Sequence, residues 1–267
     1  MSDPVKAARE LSMKASGGTS LQLPMWPDHS RRVPNEIVRS ALFTTGNNRN
    51  TKVPREIFMN HPIVVVGDGD ITYTGQELRT DDEDCWLQII HLAKEQPLGH
   101  TVEITPYTFL KAMGWGNNPK AKAKLQETLS RLSATNLSVT SKRLAQTEGL
   151  SLIRGFKFMD QGRPLEKWLV TIEPGIKSLF GEKYLTSLQW EQRKKLSPTA
   201  KKLHGYYASH KHPFDIKIET LKLLCNSKIK VKTKLRQSLS KALDELINVG
   251  FLESGYIKDD KVYVVRS

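Results

Sequence analysis

The sequence predicts an α+β fold in which one unit, a strand followed by two helices and a β-hairpin, occurs twice. Three observations carry that expectation. The segment Ser227 to Gly250, SKIKVKTKLRQSLSKALDELINVG, is amphipathic at helical spacing. At about 100° per residue, Leu235, Leu239, Ala242, Leu243 and Leu246 share one side, and Lys234, Gln237, Lys241 and Asn248 share the other. Its flanks, DIKIETLKLLCNS and FLESGYIKDDKVYVVRS, read as a short strand and helix before it and two strands joined by a Lys-Asp-Asp turn after it. From Thr101 the same order recurs: VEITPYTFLKAMGW parallels FDIKIETLKLLCN, with Ile104 matching Ile216 and Phe109 matching Leu221. LQETLSRLSATNL then parallels LSKALDELINVGF, with Leu125, Leu129 and Leu132 matching Leu239, Leu243 and Leu246.

In chain order, the polar N-terminal segment MSDPVKAARELSMKASGGTS has no apolar core and no cleavage pattern, so residues 1–32 are expected to form a short flexible tail. Within it, LQLPMWP places Gln22, Leu23, Met25 and Trp26 in an extended, proline-flanked stretch. A Gln with nearby apolar residues resembles the short peptide by which bacterial proteins dock on the replicative sliding clamp. The residues leave a second reading open, in which Leu23, Met25 and Trp26 pack on the first domain. VPNEIVRSALFTT reads as a short helix capped by Asn35, and PREIFMNHPIVVVGDGDITYTGQEL as a hairpin turning at Gly67, Asp68, Gly69 and Asp70. These glycines serve a turn; a phosphate-cradling loop needs Gly-Lys-Ser or Gly-Lys-Thr opening a helix, and the chain has neither. Asp81, Asp82, Glu83 and Asp84 suit the first turn of a helix through Trp86, Ile89, Ile90 and Leu92, where the helix dipole favours negative charge.

The strands NLSVTSKRL, GLSLIRGFKF and LEKWLVTI, with a turn from Asp160 to Pro164, complete the first unit. Pro174 and Gly175 stop that sheet, and Glu173 to Leu188 reads as the junction. A helix from Trp190, broken at Pro198 with Ser197 as cap, opens the second unit. Strand, helix, helix and hairpin in this order is a winged helix, so the expectation is two tandem winged-helix domains, residues 33–178 and 179–267, behind the tail.

Across 267 residues the net charge is +13 and the pI about 9.6, which calls for an acidic partner. The charge is clustered: Ser197 to Lys241 holds eleven Lys or Arg against Asp215 and Glu219. Double-stranded DNA fits, because a helix enters the major groove while flanking cations neutralise phosphates. The candidate contacts are Lys120, Lys122, Lys124 and Arg131 on the first long helix, Lys142 and Arg143 after it, and Lys228, Lys230, Lys232, Lys234, Arg236, Gln237 and Lys241 in the second unit. Gln237 is the expected base reader, on adenine. No apolar run is long enough for a membrane span, and Cys85 and Cys225 lack His or Cys neighbours at ligand spacing, so the expected setting is the cytoplasm with no metal, no cofactor and no membrane partner. His210, Lys211 and His212, with Tyr206 and Tyr207 nearby, supply the residue types of a rolling-circle nuclease, but a His pair around Lys at a helix end beside Pro213 is not the strand geometry that metal binding needs. No enzyme is therefore expected.

PNEIVRSALF, IVVVGDGDITYTGQELRTDDED, ITPYTFLKAMGWG and the Lys-rich C-terminal unit together resemble the TrfA family of plasmid replication initiators, over nearly all of Leu21 to Ser267. The resemblance implies a protein that binds direct repeats (iterons) at a plasmid origin, helps to open adjacent AT-rich DNA, and brings in the host replicative helicase, the host initiator and the sliding clamp. The clamp peptide maps onto Gln22, Leu23, Met25 and Trp26, although Met and Trp stand where Leu and Phe are commoner. Longer forms occur in the family, so a helicase-loading extension is expected to be missing from the short tail. A transcriptional repressor shares every DNA-binding feature, and self-association between monomer and dimer is left open.

Overall fold

The computed structural model describes residues 22–46, 54–97, 100–144, 149–159 and 166–267. Residues 1–21 of the expected tail and the expected turn Asp160 to Pro164 lie outside these residues. Leu23, Trp26, Ser30 and Arg31 are buried in the fold, which corrects the expected tail boundary. β1 (Ser30–Pro34) is already paired antiparallel with a strand more than 150 residues later in the chain, Ser30 opposite Gln189 and Pro34 opposite Leu185. α1 (Asn35–Val38) follows directly, with Pro34 in the position before it. Asn35 therefore does not cap the helix as expected; its Oδ1 accepts a hydrogen bond from Thr186 Oγ1 at 2.7 Å.

β2 (Phe43–Thr44) leads to the hairpin β3 (Ile57–Ile63) and β4 (Asp70–Gln76), which turns where the glycines lie. Gly67 and Gly69 have φ of 120° and 111°, backbone that a side chain resists. β5 (Leu78–Arg79) runs parallel to β2, and α2 (Thr80–Ala93) starts at once. Cys85, Trp86, Leu87, Ile89 and Ile90 on this helix are all essentially inaccessible, so α2 is buried nearly all round and the first core condenses on it.

The next elements are β6 (Thr101–Ile104), α3 (Pro106–Met113), α4 (Pro119–Ser133), β7 (Asn136–Thr140), β8 (Gly155–Met159) and β9 (Lys167–Thr171). Asn118 Oδ1 accepts from Ala121 N at 3.0 Å and Pro119 begins α4, two start signals that the sequence carries. β6, β9 and β8 form a sheet in that order. β7 is not part of it, a correction to the expected three-strand wing. Instead β7 pairs with β4, Leu137 opposite Tyr73 and Val139 opposite Ile71. The inserted β3–β4 hairpin offers an edge, and those four side chains bury together on its inner face.

After two 3₁₀ turns at Pro174–Leu179 and Glu182–Tyr184, β10 (Leu185–Gln189) pairs with β1. α5 (Trp190–Lys194) and α6 (Pro198–Ala208) are separated at the proline, although Ser197 makes no side-chain cap; its N–H instead donates to Glu245 Oε2 at 2.7 Å. β11 (Ile216–Lys217), α7 (Ile218–Leu224), α8 (Lys232–Asn248), β12 (Leu252–Lys258) and β13 (Lys261–Arg266) complete the chain. Their sheet has the order β11-β13-β12, the same as β6-β9-β8. The two units also stop their first helix alike. Gly114 (φ 68°) and Asn226 (φ 45°) take left-handed backbone, and the next residue donates back to Leu110 or Lys222. The Asp259–Asp260 turn of the second hairpin has φ of 47° and 59°, the geometry of a tight two-residue connection. Leu188 and Trp190 belong to the first core and Leu196 to the second, so the cores divide between Trp190 and Leu196 rather than at residue 178.

Candidate nucleic-acid interface

α8 is seated by Leu235, Leu239, Ala242, Leu243 and Leu246, each at most 3% exposed, so its opposite face is fixed in direction. That face carries Lys234, Gln237 and Lys241, all exposed and with no hydrogen bond or ion pair to the described residues. Lys230 is exposed in the preceding loop. Lys228 reaches Glu56 at 3.2 Å, a pair open to water on both sides. Lys232 and Arg236 converge on Asp260 in the hairpin turn, Arg236 Nη1 lying 2.8 Å from Oδ1. These two cations tie the hairpin to the start of α8, and Asp260 is held below the usual carboxylate range first by the Lys232 hydrogen bond. The second unit thus presents a helix face of two lysines and one amide, with Lys230 beside it.

The first unit differs, because four of its six candidate contacts, Lys122, Lys124, Arg131 and Arg143, are engaged within the fold. Lys120 is exposed. Lys122 pairs with Glu166, and Lys124 pairs with Asp81 and lies over the Trp115 ring, 3.9 Å from its centroid. Arg131, 12% exposed, donates to Asp82 Oδ1 at 2.8 Å. Lys124 and Arg131 are seven residues apart and so share a face, and that face meets the acidic start of α2. Lys142 is exposed, with its backbone N–H on Asp68 Oδ2 at 3.0 Å. Arg143 is spent inside the fold, bonded to Glu36 at 2.8 Å and to the Ser178 carbonyl at 2.8 Å, with its guanidinium over Tyr184.

The acidic turn of α2 is the site that sequence reasoning under-read. Asp82 receives Arg55 at 2.7 Å as well as Arg131, while Glu83 and Asp84 grip Arg193 at 2.7 and 2.6 Å and Asp84 also takes Lys201. Burial works to raise the Asp84 carboxyl, but Arg193 and Lys201 more than offset it and hold it below the ordinary range. Among the described residues no group of three His, Cys, Asp or Glu is arranged for a metal ion.

The expected exposed peptide is also corrected. Leu23 and Trp26 are 3% and 5% exposed members of the first core, and Trp26 Nε1 donates to His91 Nδ1 at 3.0 Å while its ring stacks on Phe180. Gln22, itself exposed, donates from Nε2 to the Lys94 carbonyl at 3.3 Å, and Met25, 64% exposed, points outward. Alternation along an extended chain explains the split, since α2 and Phe180 provide an apolar pocket within the same molecule. Tyr206 and Tyr207 are buried, with hydroxyls shielded from water and burial raising both phenols. His210 is turned back onto the Tyr206 carbonyl at 2.9 Å.

The family model described as TrfA protein matches residues 10–266. The chain belongs to the TrfA family. A family relative, the plasmid replication initiator protein TrfA of Escherichia coli, is 40% identical over 243 residues, covering 90% of this chain and 63% of the relative, so the chain spans less than two thirds of that protein's length. Two crystal structures of domains 2 and 3 of RctB, one a selenomethionine derivative, share the α+β fold, with TM-scores of 0.61 and 0.58 at 12% identity, each covering 87% of this chain and 97% of the RctB chain. Within this TrfA-family chain, the acidic turn was visible in sequence as four successive carboxylates. What hid its role was the absence of any local signal for which distant cations would meet it.

Proposed function

We propose that this TrfA-family protein initiates plasmid replication by binding direct repeats in duplex origin DNA, its two strand-helix-helix-hairpin units acting as tandem winged helices. The observation that carries the reading is the exposed Lys234–Gln237–Lys241 face of α8, unpaired among the described residues, on a helix whose direction is locked by its leucine side. In a major groove, the lysines neutralise phosphates and the Gln237 amide pairs with both hydrogen-bonding groups of an adenine. The first unit contributes through Lys120 and Lys142 rather than through a full cationic face. Bound protein then assists opening of AT-rich DNA and assembles the host helicase and initiator, a non-enzymatic role. Docking on a sliding clamp through Leu23 and Trp26 is not part of the proposal, because both side chains are core.

Footprinting on the cognate origin tests this reading. Protection of direct repeats at a regular spacing is the expected result. Protection of a single palindrome would overturn it in favour of a repressor, which would use the same helix face.

A further inference from the structure

The outer face of the second unit's sheet has no part in the duplex reading. α8 packs on the inner face: a Cβ on Gly255 would lie 3.3 Å from Leu243, and the Gly255–Val264 and Ile257–Val262 pairs point the same way. Alternation sends the intervening pairs outward. The register then writes two rows across the three strands. One is Lys217, Lys261 and Lys258, with Lys217 opposite Lys261 and Lys261 opposite Lys258. The other contains Tyr263 and Tyr256, directly opposite each other, with ring centroids 5.2 Å apart and planes at 15°. Tyr256 is 55% exposed, and Lys217 and Lys258 are exposed without partners among the described residues. Lys261 pairs with Asp215 at 2.6 Å, so that carboxylate beside the lysine row is already neutralised.

We infer that this outer sheet face, the stacked Tyr256–Tyr263 pair beside the Lys217–Lys261–Lys258 row, binds an unpaired nucleic-acid strand. Two residues along a strand span about 7 Å, so phosphates can follow the lysines while bases reach the rings. Stacking on tyrosine needs a base whose π-face is free, which a duplex does not offer and an opened strand does. An apolar protein partner would have to desolvate Lys217 and Lys258 or find an acid for each, since Asp215 serves Lys261 alone; a phosphodiester backbone supplies one anion per nucleotide. Because the face lies across the sheet from α8, a duplex on the helix and a single strand on the sheet do not compete for the same side chains.

The test is fluorescence anisotropy with the full chain, using a labelled oligothymidine of about 20 nucleotides and, in parallel, a duplex of the same length carrying the cognate repeat. Tyr256→Ala with Tyr263→Ala should weaken oligothymidine binding about 10-fold or more and leave duplex binding within about twofold. Tyr256→Phe with Tyr263→Phe, which keeps the stacking faces, should retain single-strand binding. The inference is overturned if the wild type does not bind oligothymidine, or if the alanine pair leaves that binding unchanged. Equal loss on both probes would also overturn it. Loss of duplex binding by wild type alone would instead sink the reading of α8 and leave this one standing. Photocrosslinking of a bromodeoxyuridine-substituted strand to the unaltered chain needs no folded variant: adducts on β12 or β13 are expected, and adducts confined to α8 would overturn the assignment.

Discussion

Trp26 shows how one side chain can decide between two readings of a motif. Its indole N–H has a partner in His91 Nδ1, and its ring lies on Phe180, so removing it leaves a cavity and an unpaired Nδ1. Leu23→Ala should cost about 2–5 kcal/mol and Trp26→Ala about 3–5 kcal/mol, read as a lower urea midpoint at unchanged slope. Unchanged midpoints would mean that the peptide is not core in solution. The same contact predicts a pH dependence. Burial, with Arg31 and Lys94 nearby, lowers His91 to about 4, and burial, with Arg193 and Arg266, lowers His204 to about 3. An unfolded histidine takes its proton near pH 6.5, before either folded one does. The unfolded state therefore binds more protons across that window, so stability is full above pH of about 6.5 and falls as the pH drops toward 4. For the enclosed His204 each unit of separation is about 1.4 kcal/mol, and solvent screening makes the contribution of His91 smaller. Urea midpoints at neutral and mildly acidic pH should show the loss, and His91→Gln, which can still accept from Trp26, should reduce it; a flat profile would contradict the burial of both rings.

Among the elements, α4 and α8 look alike in sequence and behave differently. Each carries an apolar stripe with Lys or Arg opposite, and the stripe was readable because helical periodicity is local. The destination of the cations was not, because it depends on what the rest of the chain brings alongside. α4 meets the acidic turn of α2, which takes Lys124 and Arg131; among the described residues the cations of α8 meet Asp260, which takes Lys232 and Arg236 and leaves Lys234 and Lys241 without a partner. β7 was misplaced for the same reason, since its alternation is satisfied on either sheet. The expected outcome is a split between two assays. Lys234→Gln and Lys241→Gln should each lower the salt slope of DNA binding by about one, and Gln237→Ala should lose about 1–3 kcal/mol of discrimination at one base pair with the slope intact. Arg131→Gln should chiefly lower stability, because it leaves Asp82 with one fewer cation. A reduced salt slope in Arg131→Gln at unchanged stability would return that residue to the DNA surface.

At the scale of the molecule, one helical turn holds both cores in register. The carboxylates Asp81 to Asp84 reach α4 through Lys124 and Arg131, and reach the second core through Arg193 and Lys201, while Lys202 on α6 donates to the Ser40 carbonyl. Glu245 on α8 accepts from Ser197, so α5, α6 and α8 follow the position of Arg193. Arg193 is fully buried between Glu83 and Asp84, and the first core ends at Trp190 just before it. Removing the guanidinium leaves two buried carboxylates short of a cation, which typically costs about 3–5 kcal/mol. The loss falls on the junction and not on either apolar core. Arg193→Ala should therefore unfold in two steps, the β11–β13 unit exchanging its amide protons at lower denaturant than α2, whereas the wild type should open both together. Adding Glu83→Gln and Asp84→Asn removes the stranded charges and should recover part of the stability without restoring the coupling. If Arg193→Ala instead lost stability in a single step, with β11–β13 and α2 still exchanging together, the packing of β1 on β10 would be sufficient to join the cores, and the acidic turn would be a stabilising feature of the first core alone.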